Sequence, residues 1–217
     1  MTFHPEILGT RQARALRLLG PYTIEQGFYL GGGTAIALHL GHRRSVDFDW
    51  FRDDPIADPL RLAQELRAGG SFLIGGTERG TLYGTANGIR VSFFEYRYPL
   101  LSPLVTWNDG GCRLAALQDL ACMKLSAIAQ RGSKKDFVDL YALAREGFRL
   151  EAMLGWYQEK FAVREIGHLL YALAYFDDAD RERMPMMMSR VSWREIKRFL
   201  QDWIRESGQK GPWSVGR

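Results

Sequence analysis

Two aspartates stand one residue apart in an otherwise apolar stretch of this sequence. Asp47 and Asp49 alternate with bulky apolar residues in the segment "VDFDW", which is the two-residue period of a β-strand. Because residues i and i+2 of a strand point to the same face, both carboxylates lie side by side. Their repulsion is costly unless a positive group lies between them, and Mg²⁺ prefers such carboxylate oxygens. The pattern indicates a divalent metal site, and a solvated strand face is the alternative.

A glycine-rich turn precedes the two aspartates and predicts an anion-binding site. The glycines at 31–33 let a backbone approach a ligand closely, and Thr34 opens a helix whose free N–H groups favour phosphate. The residues 35–46 suffice for one helix and one return loop, which brings the turn and the carboxylates to the same end of the sheet. A phosphate cradle beside a two-carboxylate metal site suits phosphoryl or nucleotidyl transfer. A tight turn without a ligand is the alternative.

The elements that must position these residues are those of an α+β domain. Asn87-Gly88 is a strong hairpin turn within residues 81–99. Hydrophobic periodicity and capping residues predict the other elements of this half. They are a helix at 4–19, a strand at 27–32, a helix at 34–40, a strand at 45–51 and a helix at 58–70.

After residue 111 the sequence becomes helical. The expected helices are 113–132, 133–147, 150–161, 163–176 and 192–206. This order predicts an α/β core over residues 1–110, with a small mixed sheet and flanking helices, and a helical region over 111–217 packed on it.

Composition predicts an ordinary globular protein. Of the 217 residues, 46% are hydrophobic and 25% are charged, and no window approaches the roughly 20 apolar residues of a membrane span. The N-terminus lacks the pattern of a signal peptide, and Cys112 and Cys122 are too few for a disulfide scaffold. We therefore expect a cytoplasmic protein with reduced thiols and no membrane partner.

Positive charge is concentrated at the C-terminal end. Residues 181–217 contain nine Lys or Arg, among them Arg217, and four acidic residues. A basic segment of this kind is compatible with a nucleic-acid or acidic-protein partner. A solvated helix face is the alternative.

Two segments together resemble the AbiEii/AbiGii toxin family of nucleotidyltransferases. They are "GGGTAIALHLGHRRSVDFDWF" and "ACMKLSAIAQRGSKKDFVDLYAL", and the resemblance covers residues from about 25 to 145. The family belongs to the DNA polymerase β-like superfamily, whose signature is a hydrophobic residue, Gly, Gly/Ser/Thr, then Asp-x-Asp. The resemblance implies a minimal nucleotidyltransferase core, a nucleoside triphosphate (NTP) substrate and Mg²⁺ or Mn²⁺. It also implies a bacterial type IV toxin–antitoxin role, in which some members nucleotidylate tRNA.

The resemblance assigns nucleotide binding to six residues of this chain. They are Gly32, Gly33 and Thr34 in the phosphate turn, Arg44 and Ser45 just ahead of the metal pair, and Lys135.

The resemblance also assigns catalytic roles. Asp47 and Asp49 correspond to the metal-binding pair, and Lys124 to the lysine on the helix that follows the sheet. Asp136 and Asp139 belong to the Lys-Asp…Asp block. Lys124 lies on an apolar helix face, so it either extends to the surface or points into a site.

One position departs from the superfamily pattern. Ser92 stands where a third carboxylate is expected, and Glu95 falls on the opposite face unless a bulge intervenes. The third acid commonly acts as, or orients, the base for the attacking hydroxyl. The substrate, Glu95, Asp136 or Asp139 could replace it. We favour Asp136, which the helix dipole keeps ionised; the alternative is that it only caps its helix.

The leading hypothesis is a nucleotidyltransferase that acts from an NTP on a hydroxyl of a tRNA-like RNA or a protein, as a type IV toxin. Two alternatives stay open. One is a nucleotide-binding module with little or no activity. The other is an interaction protein whose helical region binds an antitoxin.

Overall fold

A seven-stranded mixed sheet forms the centre of the fold. The computed structural model describes residues 2–70 and 72–210 of the chain, so Arg217 and the rest of 211–217 lie outside the described residues. The strands are β1 Tyr29–Gly31, β2 Asp47–Arg52, β3 Phe72–Glu78, β4 Thr81–Ala86, β5 Ile89–Glu95, β6 Val105–Trp107 and β7 Cys112–Leu114.

Helices alternate with the first strands and then follow the last one. A 3₁₀ turn, Pro5–Ile7, precedes α1 Thr10–Glu25, α2 Gly32–Leu40 and α3 Pro59–Ala68. The later helices are α4 Leu117–Gln130, α5 Lys134–Arg145, α6 Leu150–Phe161, α7 Gly167–Ala174, α8 Asp177–Arg181 and α9 Trp193–Lys210. The expected α+β fold, with a small mixed sheet, flanking helices and a helical C-terminal region, is confirmed. None of the described helices combines the length and the apolar character that a bilayer crossing needs.

Strand β2 lies inside the sheet, between β1 and β5. The strand order is β3-β4-β5-β2-β1-β7-β6, and β2 pairs antiparallel with β1 and parallel with β5. Phe48 and Trp50 are completely buried, so Asp47 and Asp49 lie on the opposite face. Burial of the two aromatic side chains fixes the register, because a slip of one residue would turn the carboxylates into the core.

The first helix differs from its expected bounds of 4–19. A 3₁₀ turn comes first, and the α-helix begins at Thr10 after the extended N-cap Gly9. The helix then continues past Gly20 to Glu25. A Cβ atom at Gly20 would lie 2.3 Å from the main-chain oxygen of Gly111. This glycine therefore allows close packing of the helix against the turn between β6 and β7, and it does not end the helix.

The sheet also contains strands that periodicity missed. The helix expected at 113–132 begins at Leu117, because 112–114 form β7, which pairs with β1 and β6. β3 was not predicted, since adjacent glycines interrupt its alternation and its pairing with β4 shifts between Ile74 and Gly76. The helix expected at 163–176 is shorter and is followed by α8. The division of the chain at residue 110 stays a prediction; the sheet itself runs to Leu114.

A buried ion pair joins α4 and α6 to the loop that follows β5. Lys160 Nζ lies 2.7 Å from Asp119 Oδ1 and donates to the main-chain oxygen of Pro99 at 2.6 Å. Asp119 also accepts from the main-chain N–H groups of Leu101 and Ser102, each at 3.0 Å. Both charged side chains are completely inaccessible to solvent. Loss of one partner would therefore leave the other uncompensated.

We expect Asp119→Asn to lower the free energy of unfolding by about 3–5 kcal/mol, because Lys160 stays buried without its counter-charge. Urea denaturation measures this loss. The double variant Asp119→Asn with Lys160→Met removes both charges and should recover part of it. A single variant as stable as the wild type would show that the pair does not anchor the loop.

Candidate active site

A cavity of about 670 Å³ opens on the carboxylate face of β2. Asp47 and Asp49 line it together with the glycine turn. Gly31 pairs with Asp49 across β1 and β2, so the sheet itself brings the turn to the carboxylates. Helix α4 forms a second wall, with Lys124 among its lining residues. The structure thus gathers the expected metal pair, phosphate turn and helix lysine in one cavity.

The two glycines at the start of α2 leave a cradle that a side chain would fill. Gly32 has a φ of +62°, and a Cβ atom there would lie 2.6 Å from Asp49 Oδ2. A Cβ atom at Gly33 would lie 2.3 Å from Arg43 Nη2. The N-cap Gly31 has no side chain to satisfy the first N–H groups of the helix. These N–H groups are therefore available to an anion such as phosphate.

Burial and neighbouring positive charges act in opposite directions on the Asp49 carboxylate. Burial, followed by the charge of Asp47, raises the pKa of Asp49 to about 6. The positive charges of Lys135, Lys124 and Arg131 oppose this rise. The repulsion between Asp47 and Asp49 favours a cation between the two carboxylates.

The buried carboxylate of Asp139 organises the basic side of the cavity. Arg43 binds it through two bonds, from Nε to Oδ1 at 2.6 Å and from Nη2 to Oδ2 at 2.9 Å. Lys124 Nζ lies 2.8 Å from Oδ2, and His42 Nε2 lies 2.8 Å from Oδ1. Burial alone would raise the pKa of Asp139, but Arg43 and Lys124 hold it well below its ordinary value. The ionised Asp139 therefore fixes Arg43 and Lys124 in place. Lys124 is 4% exposed, so it points into the site and does not extend to the surface.

Asp136 is occupied by hydrogen bonds within the protein. It accepts from Lys124 at 2.9 Å, from Ser133 at 2.6 Å, and from Arg131 at 2.9 and 3.1 Å. It is completely buried and does not line the cavity. Burial opposes ionisation, but Lys124, Arg131 and Ser133 together lower the pKa of Asp136. The geometry therefore does not support the general-base role expected for Asp136. The carboxylate instead fixes the positions of Lys124 and Arg131. Helix α5 has no side-chain cap at its N-cap residue Ser133, whose hydroxyl donates to the Asp136 carboxylate.

Thr34 and Ser45 position the backbone. The Thr34 hydroxyl donates to the main-chain oxygen of Asp47, and Thr34 does not line the cavity. The Thr34 side chain is therefore engaged within the protein, and the place of Thr34 in the phosphate turn stays a prediction that concerns the main-chain N–H groups. Ser45 lines the cavity but is nearly buried, and its main-chain oxygen accepts from the Gln12 side chain. Both residues thus fix the entry of β2.

Six cations line the cavity, and three of them were not expected. Arg44, Lys124 and Lys135 are the expected ones; Arg43, Arg90 and Arg131 are new. Adjacent arginines at 43 and 44 signal a basic position, but only the tertiary contact with Asp139 shows that the first is the buried one. No local pattern marks the other two.

The strand register shows what stands in place of a third carboxylate. Ser92 lies directly beside Asp49 on the parallel strand β5. The pairing of β2 with β5 runs without a bulge as far as Glu95. Glu95 accepts from the Ile56 N–H at 3.1 Å and forms an ion pair with Arg97 at 2.6 Å. It does not line the cavity, so Glu95 does not replace the missing acid.

An apolar wall lies beside the carboxylates. Phe51 and Phe94 line the cavity with their rings stacked, 5.1 Å between centroids and 24° between planes. Tyr96 and Met123 line the cavity as well. Half-buried aromatic rings of this kind can stack on a planar ligand such as a nucleobase.

The donor set fits Mg²⁺ or Mn²⁺. Asp47 and Asp49 offer carboxylate oxygens on one face, and Mg²⁺ usually keeps one or two protein carboxylates and completes its shell with water and phosphate. In the described part of the chain, no group of three or more His, Cys, Asp or Glu could hold a metal ion. Most ligands would therefore come from substrate and water.

The C-terminal region reaches the cavity through a short antiparallel pairing. The Arg44 N–H donates to the main-chain oxygen of Met186 at 2.8 Å, and the Met188 N–H donates to that of His42 at 3.0 Å. Pro185 and Met186 line the cavity beside Arg44. The site therefore includes residues from both halves of the chain.

Comparison with known proteins shows the family of this chain. The family described as "Nucleotidyl transferase AbiEii toxin, Type IV TA system" matches residues 14–206. An uncharacterised protein of Aquifex aeolicus is 36% identical over 202 residues, which cover 92% of this chain and 97% of that protein.

Two solved structures share the fold. One is a candidate nucleotidyltransferase from H. pylori, with a TM-score of 0.58, 16% identity, and coverage of 91% of this chain and 93% of the other. The second is MenT4, a nucleotidyltransferase toxin from Mycobacterium tuberculosis, with a TM-score of 0.53, 16% identity, and coverage of 90% and 82%. At this identity the two likenesses concern the fold alone.

The raised pKa of Asp49 predicts a pH dependence of stability. Between about pH 4 and 6 the folded protein binds more protons than the unfolded chain, so the free energy of unfolding should fall as pH rises. Asp49→Asn should abolish this fall, worth about 2–3 kcal/mol at pH 7. Urea denaturation at several pH values, without divalent ions, measures it.

The matched control is Asp53→Asn, which changes an exposed acid just after β2. The lowered pKa values of Asp136 and Asp139 affect stability in a different pH range. The stability that these two carboxylates contribute is lost only as pH falls below about 4. Parallel pH profiles for wild type and Asp49→Asn would contradict the prediction.

Proposed function

Because the chain belongs to the AbiEii family of type IV toxin nucleotidyltransferases, we propose that it transfers a nucleotidyl group from an NTP to an acceptor hydroxyl. One observation carries the proposal, namely that a carboxylate pair, a side-chain-free phosphate cradle and fixed cations line the same cavity. Each feature alone has a structural explanation. Their convergence is the arrangement that phosphoryl chemistry requires.

In the proposed reaction the acceptor oxygen attacks the α-phosphorus of the NTP. A new P–O bond forms, the bond to the oxygen bridging the β-phosphorus breaks, and pyrophosphate leaves. Asp47 and Asp49 would hold Mg²⁺ or Mn²⁺, which supplies positive charge to the phosphate oxygens. The N–H groups of Gly32 and Gly33 bind phosphate, and Lys124 balances its charge. The hydroxyl proton passes to water, since Asp136 is fully engaged elsewhere.

The stacked rings of Phe51 and Phe94 support a place for the nucleobase. The exposed cations Arg44, Arg90 and Lys135 support a polyanionic acceptor such as a tRNA-like RNA, with a protein hydroxyl as the other candidate. A toxin role with a cognate antitoxin, a cytoplasmic location, and the division into a core over 1–110 and a helical region over 111–217 belong to the same proposal.

The test is a transfer assay with each radiolabelled NTP, Mg²⁺ and total RNA or protein. We expect label in one acceptor pool. Asp47→Asn should reduce transfer by at least about 100-fold with unfolding free energy unchanged or higher, because one repulsion is relieved. Asp53→Asn serves as the exposed control. NTP binding without transfer would favour the binding-module alternative, which the neutral Ser92 supports. Neither binding nor transfer would favour the interaction-protein alternative.

A second test concerns the phosphate cradle. Gly33→Ala places a methyl group against Arg43 Nη2, which Asp139 holds in position. We expect NTP affinity to fall about tenfold or more, which corresponds to ~1.4 kcal/mol, as measured by calorimetry. Gly155→Ala is the matched control, because a Cβ atom at that position in α6 has no neighbour within 4 Å. Equal NTP affinity in both variants would remove the cradle from the proposal.

A further inference from the structure

We propose that this site holds one divalent cation between protein and NTP, and that Arg90 supplies beside Asp47 the positive charge that a second cation gives in two-metal enzymes. The inference rests on the proposed function and deepens it. In two-metal sites the ions lie about 3.5–4 Å apart and stabilise both the attacking and the leaving oxygen. Such a pair needs more anionic ligands than a single ion does.

The ligand count favours one ion. Asp47 and Asp49 are the only acids among the described residues that line the cavity. Ser92 is the neighbour of Asp49 on β5, where a third carboxylate would share the same face. A serine hydroxyl brings no negative charge to offset a second divalent ion. The other nearby acids, Asp136 and Asp139, are buried and bonded to cations.

The position of Arg90 complements this count. Arg90 pairs directly with Asp47 across β2 and β5, and its Nη2 atom lies 3.6 Å from Asp47 Oδ2. The side chain lines the cavity and is 73% exposed, so it can follow a ligand. Arg90 and Ser92 are neighbours on the same face of β5. A cation thus stands on the strand that would carry the third acid.

The other cations that line the cavity are placed differently. Among the described residues, neither Arg44 nor Lys135 lies within 4.0 Å of Asp47 or Asp49, as Arg90 does of Asp47. Arg43 and Lys124 are bound to Asp139, and Arg131 is bound to Asp136. Their positions are set by the buried carboxylates. Arg90 lies 3.6 Å from Asp47, one carboxylate of the metal pair, and has no buried partner in the described structure. It therefore attracts the carboxylates and repels any additional cation.

The experiment counts ions. The full-length protein is mixed with a non-hydrolysable α,β-imido NTP analogue, and bound Mn²⁺ per chain is measured by electron paramagnetic resonance after equilibrium dialysis. We expect one Mn²⁺ per wild-type chain. Ser92→Asp adds a carboxylate beside Asp49 and should raise the count to two. Ser92→Asn introduces a side chain of nearly the size of aspartate but without charge, so the count should stay at one Mn²⁺ per chain.

Arg90 is tested separately, in the protein without nucleotide. Arg90→Leu removes the competing cation, so Mn²⁺ affinity should rise about tenfold, whereas Arg90→Lys should keep the wild-type value. The same preparations are assayed for transfer, in which Arg90→Leu should be impaired and Arg90→Lys partly active. Unchanged Mn²⁺ affinity in Arg90→Leu would overturn the role of Arg90.

The outcomes separate this inference from the proposed function. Two Mn²⁺ ions on a wild-type chain that transfers label would overturn the one-cation inference and leave the function standing. A wild-type chain that binds neither Mn²⁺ nor the analogue would overturn both. The wild-type count needs no variant, so a folding defect in Ser92→Asp does not obscure the answer.

Discussion

The site depends on the ion pairs that the carboxylate of Asp139 forms with Arg43 and Lys124. Asp139 belongs to α5, yet it binds Arg43 from the loop before β2 and Lys124 from α4. One group thus joins three separate parts of the chain around the cavity. Withdrawing these charges from water is costly, and the cost is offset because both carboxylate oxygens receive charge-assisted hydrogen bonds. The cluster therefore fixes its cations before any ligand arrives.

This constraint divides the cations of the cavity into two kinds. Arg43 and Lys124 are buried and held, so they need no reorganisation when phosphate charge develops nearby. Arg44, Arg90 and Lys135 line the cavity and are exposed, and Arg131 is exposed as well although Asp136 binds it. Fixed, buried cations suit a small ligand of constant shape, such as a triphosphate. Exposed cations suit an acceptor of variable shape, and their attraction to it weakens with salt.

The features that could be predicted from the sequence are those that depend on short-range patterns. Alternation around Asp47 and the glycine turn located the carboxylate face, because period and turn chemistry are short-range properties. Burial was not encoded in the same way. In the sequence nothing distinguishes Arg43 from Arg44, and only the contact with Asp139 shows that Arg43 is the buried one. Asp136 looked like an available base at a helix start, but its bonds to residues of α4 and the following loop leave no free oxygen. Strand β3 was missed because its glycines remove the alternation that defines a strand.

The C-terminal region is part of the site for a physical reason. The loop that carries His42 and Arg43 must stay rigid if it is to hold the cations, and loops lack the internal hydrogen bonds of helices and strands. Here the main chain at Met186 and Met188 supplies two such bonds. The segment that contains them follows α8, where Lys134 at the start of α5 holds Glu182 through both its N–H and its ammonium group. Helix α5, which carries Asp139, therefore also binds the segment that pairs with the loop of His42 and Arg43. One helix thus stabilises this loop in two ways, directly through Asp139 and indirectly through the C-terminal segment.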